Sequence, residues 1–257
     1  MLLVLDIGNT NTVIGIFKEE KLVAHWRLSS IDHTSDEAGL LVQNLLDSHR
    51  FSRDEIDGAI LSSVVPRFEE MWTQALSAYL DIKPFIVKHD IPLGMTIDMD
   101  NPDEVGADRL VNAVAAMEKY GKPLVAVDLG TAITLDVISR DGAYIGGAIA
   151  PGLAVSMETL FSRTAKLPQI ALTAPERVIG RNTKHAIQSG IVYGYVGLVD
   201  ALVERIFEEL GCRTPVIATG GHAAILAENS RTITNVEPWL TLDGLLILYK
   251  RCANIRP

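Results

Sequence analysis

The chain has 257 residues, with 23 basic and 32 acidic side chains and a net charge of −9. That length accommodates one large domain or two ordinary ones, and a hydrophobic share of 48% is enough to bury a full core. The acidic balance, with no run of Lys or Arg, argues against a nucleic-acid surface. Cys212 and Cys252, the only cysteines, offer neither a disulfide framework nor metal-ligand spacing and point to a reducing compartment. The opening MLLVLDIGNT lacks a basic n-region and is interrupted by Asp6, so it does not read as a signal peptide. The longest uncharged run, Gly142–Met157, is dense in glycine and contains a proline, so no membrane span and a cytoplasmic location are expected.

Three short β-type runs open the chain, Leu2–Ile7, Thr12–Phe17 and Leu22–Leu28, the third after the polar gap KEEK. In the next segment Leu40, Leu41, Leu45 and Leu46 recur at helical spacing, with Thr34 and Ser35 where an N-cap belongs. GAILSSVV reads as a buried strand, Pro66 leads a helix through Tyr79, and PFIVK gives a further strand. A helix starting near Asp108 or Arg109 carries Leu110, Val111, Val114 and Met117 on one face.

Residues 124 to 138, LVAVDLGTAITLDVI, match residues 2 to 16 in kind, with Asp6 over Asp128, Gly8 over Gly130 and Thr12 over Thr134. Downstream, GAYIGGAIAPG gives a third strand, a long helix runs from about Thr183 to Leu210, and TPVIATGG reads as a buried strand leading into a helix. RTITNV gives a fifth strand, and Pro238 opens a final helix. The chain is thus a duplication of a βββαβαβ unit with a period of about 122 residues, too long for a solenoid. Two α/β domains with mixed sheets facing a cleft are expected, dividing near residues 118 to 123.

Asp6 and Asn9 can be plain turn formers between strands. Repeated in both halves, the Asp-Gly hairpin suggests more. A strand-end carboxylate can hold a metal or its water shell, and the small turn behind it brings backbone N–H groups close to phosphate oxygens. In ATGGHA, Gly220 and Gly221 lie between a strand and a helix, either as a tight turn or as a surface on which a base or ribose can lie. No Walker A pattern is present, so any phosphate grip is hairpin-based.

These three elements resemble the phosphate-1, phosphate-2 and adenosine motifs of the acetate kinase, sugar kinase, Hsp70 and actin superfamily. The stretches DIGNTNT, PDEVGADRLVNA, DLGTAITLD, GGAIAPG and GRNTKHAIQSG resemble, in order, those of type III pantothenate kinases, and the likeness runs from residue 3 to about 250. The resemblance implies a duplicated actin-like (ribonuclease H-like) α/β fold, with halves at 1–118 and 119–257 and a nucleotide cleft between them. It implies ATP-dependent phosphorylation of pantothenate to 4′-phosphopantothenate, the first step toward coenzyme A.

Residue by residue, the resemblance assigns ATP to Asp6, Ile7, Gly8, Asn9, Thr10, Asn11, Thr12, Val13 and Thr131, with Mg reaching Asp6 through the nucleotide. Pantothenate falls to Met99, Gly106, Ala107, Asp108, Arg109 and Thr183, with Asp108 as general base and Arg109 able to hold the substrate carboxylate in a bidentate pair. Asp128 is implied as the site of a monovalent cation, potassium or ammonium, and Asp136 as a structural or outlying carboxylate. Many relatives carry tyrosine where this chain has Met99, which keeps an apolar contact and loses a hydroxyl. Read without the resemblance, Asp108 is an N-cap and Arg109 a solvated helix residue.

In the long helix Gly190, Gly194 and Gly197 fall at i, i+4 and i+7, each costing about 1 kcal/mol against alanine. The stripe admits a close backbone, either this chain's own sheet or a second subunit. The resemblance favours a homodimer in which Thr183 completes the neighbour's pantothenate site. The histidines show no metal spacing; His222, after the ATGG turn, is a candidate nucleotide contact. Trp26, Trp72 and Trp239 read as packing residues. The rival reading is a regulatory, accessory-transcription-factor-like member of the same family. A superfamily phosphohydrolase is opposed by GADR and GRNT.

Overall fold

The computed structural model describes residues 1–163 and 170–254. They form two compact units. The first comprises Met1–Met95, Asp100–Ala115 and the chain from Leu240 onward; the second comprises Thr96–Met99 and Ala116–Trp239.

The first unit contains β1 (Leu2–Ile7), β2 (Asn11–Lys18), β3 (Lys21–Ser29), α1 (Ser35–Ser48), β4 (Gly58–Ser63), α2 (Pro66–Leu80) and β5 (Phe85–Ile86). The sheet order is β3-β2-β1-β4-β5, with β1 antiparallel to β2 and parallel to β4. Alternation along β1 sends Leu3, Leu5 and Ile7 into a core with Ile14, Ile16 and Leu61, where α1 and α2 contribute Val42, Leu46, Phe68, Trp72 and Leu76. Thr34 caps α1 as expected, and Glu37 completes a capping box by accepting from the Thr34 N–H at 2.8 Å.

Next in the chain come β6 (Thr96–Ile97), in the second unit, and α3 (Ala107–Tyr120), which passes from one unit to the other at Ala115. The second unit continues with β7 (Leu124–Leu129), β8 (Ala132–Ile138), β9 (Ala143–Pro151), α4 (Leu153–Ser162), α5 (Thr183–Leu210), β10 (Val216–Thr219), α6 (Ala223–Ala227) and β11 (Asn235–Val236). Its sheet runs β11-β10-β7-β8-β9-β6. The first five strands and their counterparts thus follow one topology, 3-2-1-4-5 and 9-8-7-10-11, and β6 adds an edge strand drawn from the first half of the chain. Val125, Val127, Leu129, Ile133 and Leu135 pack against Val196, Val199, Val203 and Phe207 of α5. The last helix, α7 (Leu240–Ala253), belongs to the first unit and lies on β1 and β4.

Two expectations need correcting. PFIVK and RTITNV yield only the two-residue strands β5 and β11. Both pair on one side alone, so few ladder bonds hold them. The overlay of Thr12 on Thr134 also slips. Ile7 faces Thr12 across the first hairpin, whereas Leu129 faces Ile133 across the second. The second turn is one residue shorter, so Thr134 stands opposite Asp128 as Val13 stands opposite Asp6.

Candidate functional site: two carboxylate hairpins

In the first unit, Asp6 is the penultimate residue of β1 and lies between Val13 and Ser62 on the flanking strands. The buried Ser62 hydroxyl donates to Asp6 Oδ1 at 2.8 Å. The turn that follows is closed by the Gly8 N–H donating to the Asn11 carbonyl at 3.0 Å. Asn9 and Thr10 form its exposed tip. The Ser30 N–H donates to the Thr10 carbonyl at 2.9 Å, and the Ser30 and Thr12 hydroxyls lie 3.0 Å apart, so residue 30 straps the turn from behind. Ile7 and Thr12 are buried, which leaves only their backbones to meet a ligand, while Asn11 and Val13 are half-buried.

The structure brings Asp108 into the electrostatic range of Asp6. Helix α3 starts at Ala107, so Asp108 lies inside the first turn and is not the residue before it. Its Oδ1 accepts from the Arg109 N–H at 2.8 Å. A Cβ on Gly106 would lie 2.6 Å from that same oxygen, so glycine makes room for the carboxylate. Burial pushes the Asp108 carboxyl above its ordinary value, against the Arg109 N–H and the Arg109 charge, which pull it down. Burial, and then the neighbouring Asp108, push Asp6 up to about 7, against the Ser62 hydroxyl and Arg27. The helix-end amide that would make Asp108 a weak base is therefore outweighed by loss of water.

In the second unit, Asp128 is the penultimate residue of β7, between Thr134 and Thr219. The Gly130 N–H closes the turn on the Ala132 carbonyl at 3.1 Å. Gly220, at φ +94°, lies so close that a Cβ there would be 2.6 Å from Asp128 Oδ1 and 2.7 Å from the Leu129 backbone. Gly130 also approaches that oxygen, with a Cβ position 3.4 Å away. Glycine at these two positions lets the backbone approach this carboxylate oxygen more closely than a side chain would allow. Gly152 seats against the turn, its N–H donating to the Thr131 carbonyl at 3.0 Å, and Thr131 itself is exposed. The GGAIAPG and ATGG motifs therefore deliver the two glycines that touch this hairpin.

Met99 follows β6 and packs on Gly146, where a Cβ would lie 3.0 Å from its sulfur. Thr183 is the exposed first residue of α5, at the mouth of an open concavity of about 600 Å³ lined by Leu160, Gly180, Arg181, Asn182 and Ile187. Among the described residues, no atom beyond the helix's own backbone and chain neighbours lies within 4 Å of a Cβ placed on Gly190, Gly194 or Gly197, so the glycine stripe faces away from its own sheet. Helix α5 is long and apolar enough to span a membrane by composition, yet Val192, Val196, Val199, Val203 and Phe207 bury one side of it. His222 Nδ1 is buried without a hydrogen-bond partner among the described residues, while its N–H donates to the Leu129 carbonyl at 3.4 Å. Among the described residues no three His, Cys, Asp or Glu side chains gather to hold a metal ion. Ser62 and Ser30 were not singled out by sequence. The repeated serine of LSSVV offered a signal only once its strand was placed beside β1.

A duplicated βββαβαβ scaffold, each half carrying an Asp-x-Gly hairpin, defines an actin-like ATPase and sugar-kinase fold. The chain is similar to a Campylobacter jejuni protein named for the Baf family of transcriptional activators, at 19% identity and TM-score 0.61, over 98% of this chain and 100% of that one. An inorganic polyphosphate/ATP-glucomannokinase from Arthrobacter sp. strain KM matches at 15% identity and TM-score 0.53, over 99% of each chain. The activator of 2-hydroxyisocaproyl-CoA dehydratase from Clostridium difficile, solved with bound ADPNP, matches at 14% identity and TM-score 0.53, over 100% and 98%. At these identities the likeness is one of fold. Residues 2–205 match the family model of type III pantothenate kinase, and the chain belongs to that family.

Proposed function

We propose that the protein transfers the γ-phosphoryl group of ATP to the primary hydroxyl of pantothenate, giving 4′-phosphopantothenate and ADP. The observation that carries this reading is the pairing of Asp6 and Asp108, two half-buried carboxylates with raised proton affinity, in a chain of this family. The pantothenate hydroxyl oxygen forms a bond to the γ-phosphorus, the bond to the ADP oxygen breaks, and the hydroxyl proton passes to Asp108. A base with raised affinity suits that step, although phosphoryl transfer depends more on positioning and charge than on the base. Asp108 is kept in place by the Arg109 N–H and by the space Gly106 leaves.

The Gly8–Asn11 turn offers backbone amides to phosphate oxygens, Asp6 would meet the nucleotide-borne Mg, and the family likeness adds Thr131 to the ATP contacts. Mg would neutralise phosphate charge, and a monovalent cation at Asp128, potassium or ammonium, would add to that neutralisation. A carboxylate such as Asp128 is an oxygen ligand of the kind that hard cations take. Arg109 pairs with the pantothenate carboxylate, and Met99 and Ala107 supply apolar contact. The protein acts as a homodimer in the cytoplasm. In support, the open glycine stripe on α5 can receive a second helix, which would bring Thr183 to the neighbour's substrate.

A regulatory role is the rival reading, suggested by the name of the Campylobacter jejuni protein. A coupled ADP-release assay with and without pantothenate, with the product identified by mass, separates the two. ADP release that pantothenate does not stimulate would sink the kinase reading.

A further inference from the structure

Asp136 has no part in the reading above. It is 0% exposed, in the middle of the second sheet. A carboxylate taken wholly out of water is costly unless its oxygens are satisfied. Two hydroxyls serve it. Tyr144, itself 0% exposed, donates from Oη to Asp136 Oδ1 at 2.6 Å, and Thr134 donates from Oγ1 to Asp136 Oδ2 at 3.1 Å. The backbone is adapted to this arrangement. Pairing of β8 with β9 shifts register between Asp136 and Ile138, and the residue opposite Asp136 is Gly147, where a Cβ would lie 1.6 Å from the Leu135 carbonyl oxygen.

The consequence falls on Thr134. It stands two residues from Asp136 on the same face of β8 and directly opposite Asp128 on β7. Side chains so placed have Cβ atoms about 4.5–5.5 Å apart. A threonine hydroxyl carries one proton and two lone pairs. With the proton committed to Asp136, only lone pairs remain for the Asp128 side, so Thr134 can accept or coordinate there but cannot donate.

The geometry points to Asp136 as a positioning residue that holds the Thr134 oxygen as an acceptor beside Asp128, so that threonine and aspartate together form an oxygen pair for a monovalent cation. This rests on the reading of Asp128 as the cation site. An amide at position 136 would unsettle the arrangement, because its NH2 group competes to donate and can turn the Thr134 proton toward Asp128.

The test uses the intact protein and KCl, with choline chloride at equal ionic strength as reference, and measures the thermal midpoint with and without Mg-ADPNP. The wild type should gain stability in KCl, and Asp128→Ala should abolish the gain. Asp136→Asn and Thr134→Val should each raise the KCl concentration for half-maximal gain at least tenfold, while Thr134→Ser retains the wild-type value. Broadening of a thallium-205 resonance by the same variants gives a second readout that does not depend on stability. If Asp136→Asn and Thr134→Val respond to KCl like the wild type while Asp128→Ala does not, the inference falls and the cation site stands. If the wild type itself gains nothing, the reading of Asp128 fails and this inference with it. Should Asp136→Asn not fold, Thr134→Val, which replaces the hydroxyl by a methyl group of similar size, decides.

Discussion

Replacing Asp6 by Asn removes a charge that the fold holds against its preference. The carboxyl sits at about 7 in the folded protein against 3.8 when unperturbed, chiefly through burial and then through Asp108. Because the folded value is raised, the native state keeps its proton where the unfolded chain has lost it. Stability is therefore fully present below pH 3.8 and declines as pH rises to about 7. Between pH 5 and pH 7 the decline is two units at 1.36 kcal/mol each, roughly 2.7 kcal/mol at most. Asp6 is only half-buried, so solvent screening lowers the expected figure to about 1–2 kcal/mol. Asn lacks the titration and can still accept from Ser62.

The stability of Asp6→Asn relative to the wild type should thus increase by about 1–2 kcal/mol between pH 5 and pH 8, a rise of several degrees in relative midpoint for a chain of this size. Urea and thermal unfolding in EDTA, followed by circular dichroism, measure it. The same variant should lose the stabilisation that Mg-ADP confers on the wild type. A relative stability that does not change with pH, or that falls at pH 8, would refute the claim that this carboxylate is held under strain for a ligand.

Asp108→Asn should lose about 10² to 10⁴-fold in turnover while isothermal titration still shows pantothenate binding; near wild-type turnover would leave Asp108 a helix-end residue only. Gly220→Ala forces a Cβ into the Leu129 backbone and demands φ +94° of alanine, so it should cost about 1–3 kcal/mol and weaken nucleotide binding, read by unfolding and by Mg-ADP titration. Gly194→Leu, at a position where a Cβ meets nothing among the described residues, should leave the monomer fold intact, shift sedimentation toward monomer and lower specific activity on dilution; an unchanged dimer would place the subunit contact elsewhere.

The hydrophobic period made much of this fold legible. Apolar runs bounded by turns gave β1, β4, β7 and β10, and Thr34 and Asn182 behave as helix caps that sequence chemistry favours. The Asp-Gly hairpins were visible because they recur. What sequence could not supply was anything set by contacts between distant segments. Ser62 bonds to Asp6 across 56 positions, and Asp108 reaches the field of Asp6 only because the start of α3 belongs to the first unit. The one-residue contraction of the second turn was equally hidden, since both Thr12 and Thr134 read as turn-side threonines until strand pairing assigned their partners.

That hidden divergence bears on why a duplicated scaffold can hold two unlike sites. The positions beside the two carboxylates correspond: Asp6 pairs with Ser62 on the parallel neighbour, and Asp128 pairs with Thr219. Their surroundings differ. Ser62 donates to Asp6, and burial and a second carboxylate raise its proton affinity. The residue after Ser62 is Ser63, whereas the residue after Thr219 is Gly220, whose lack of a side chain lets the backbone come close to Asp128 Oδ1 and Leu129. The same backbone pairing therefore yields, in one half, a carboxylate held by a serine hydroxyl beside a second carboxylate and, in the other, a carboxylate closely approached by glycine backbone.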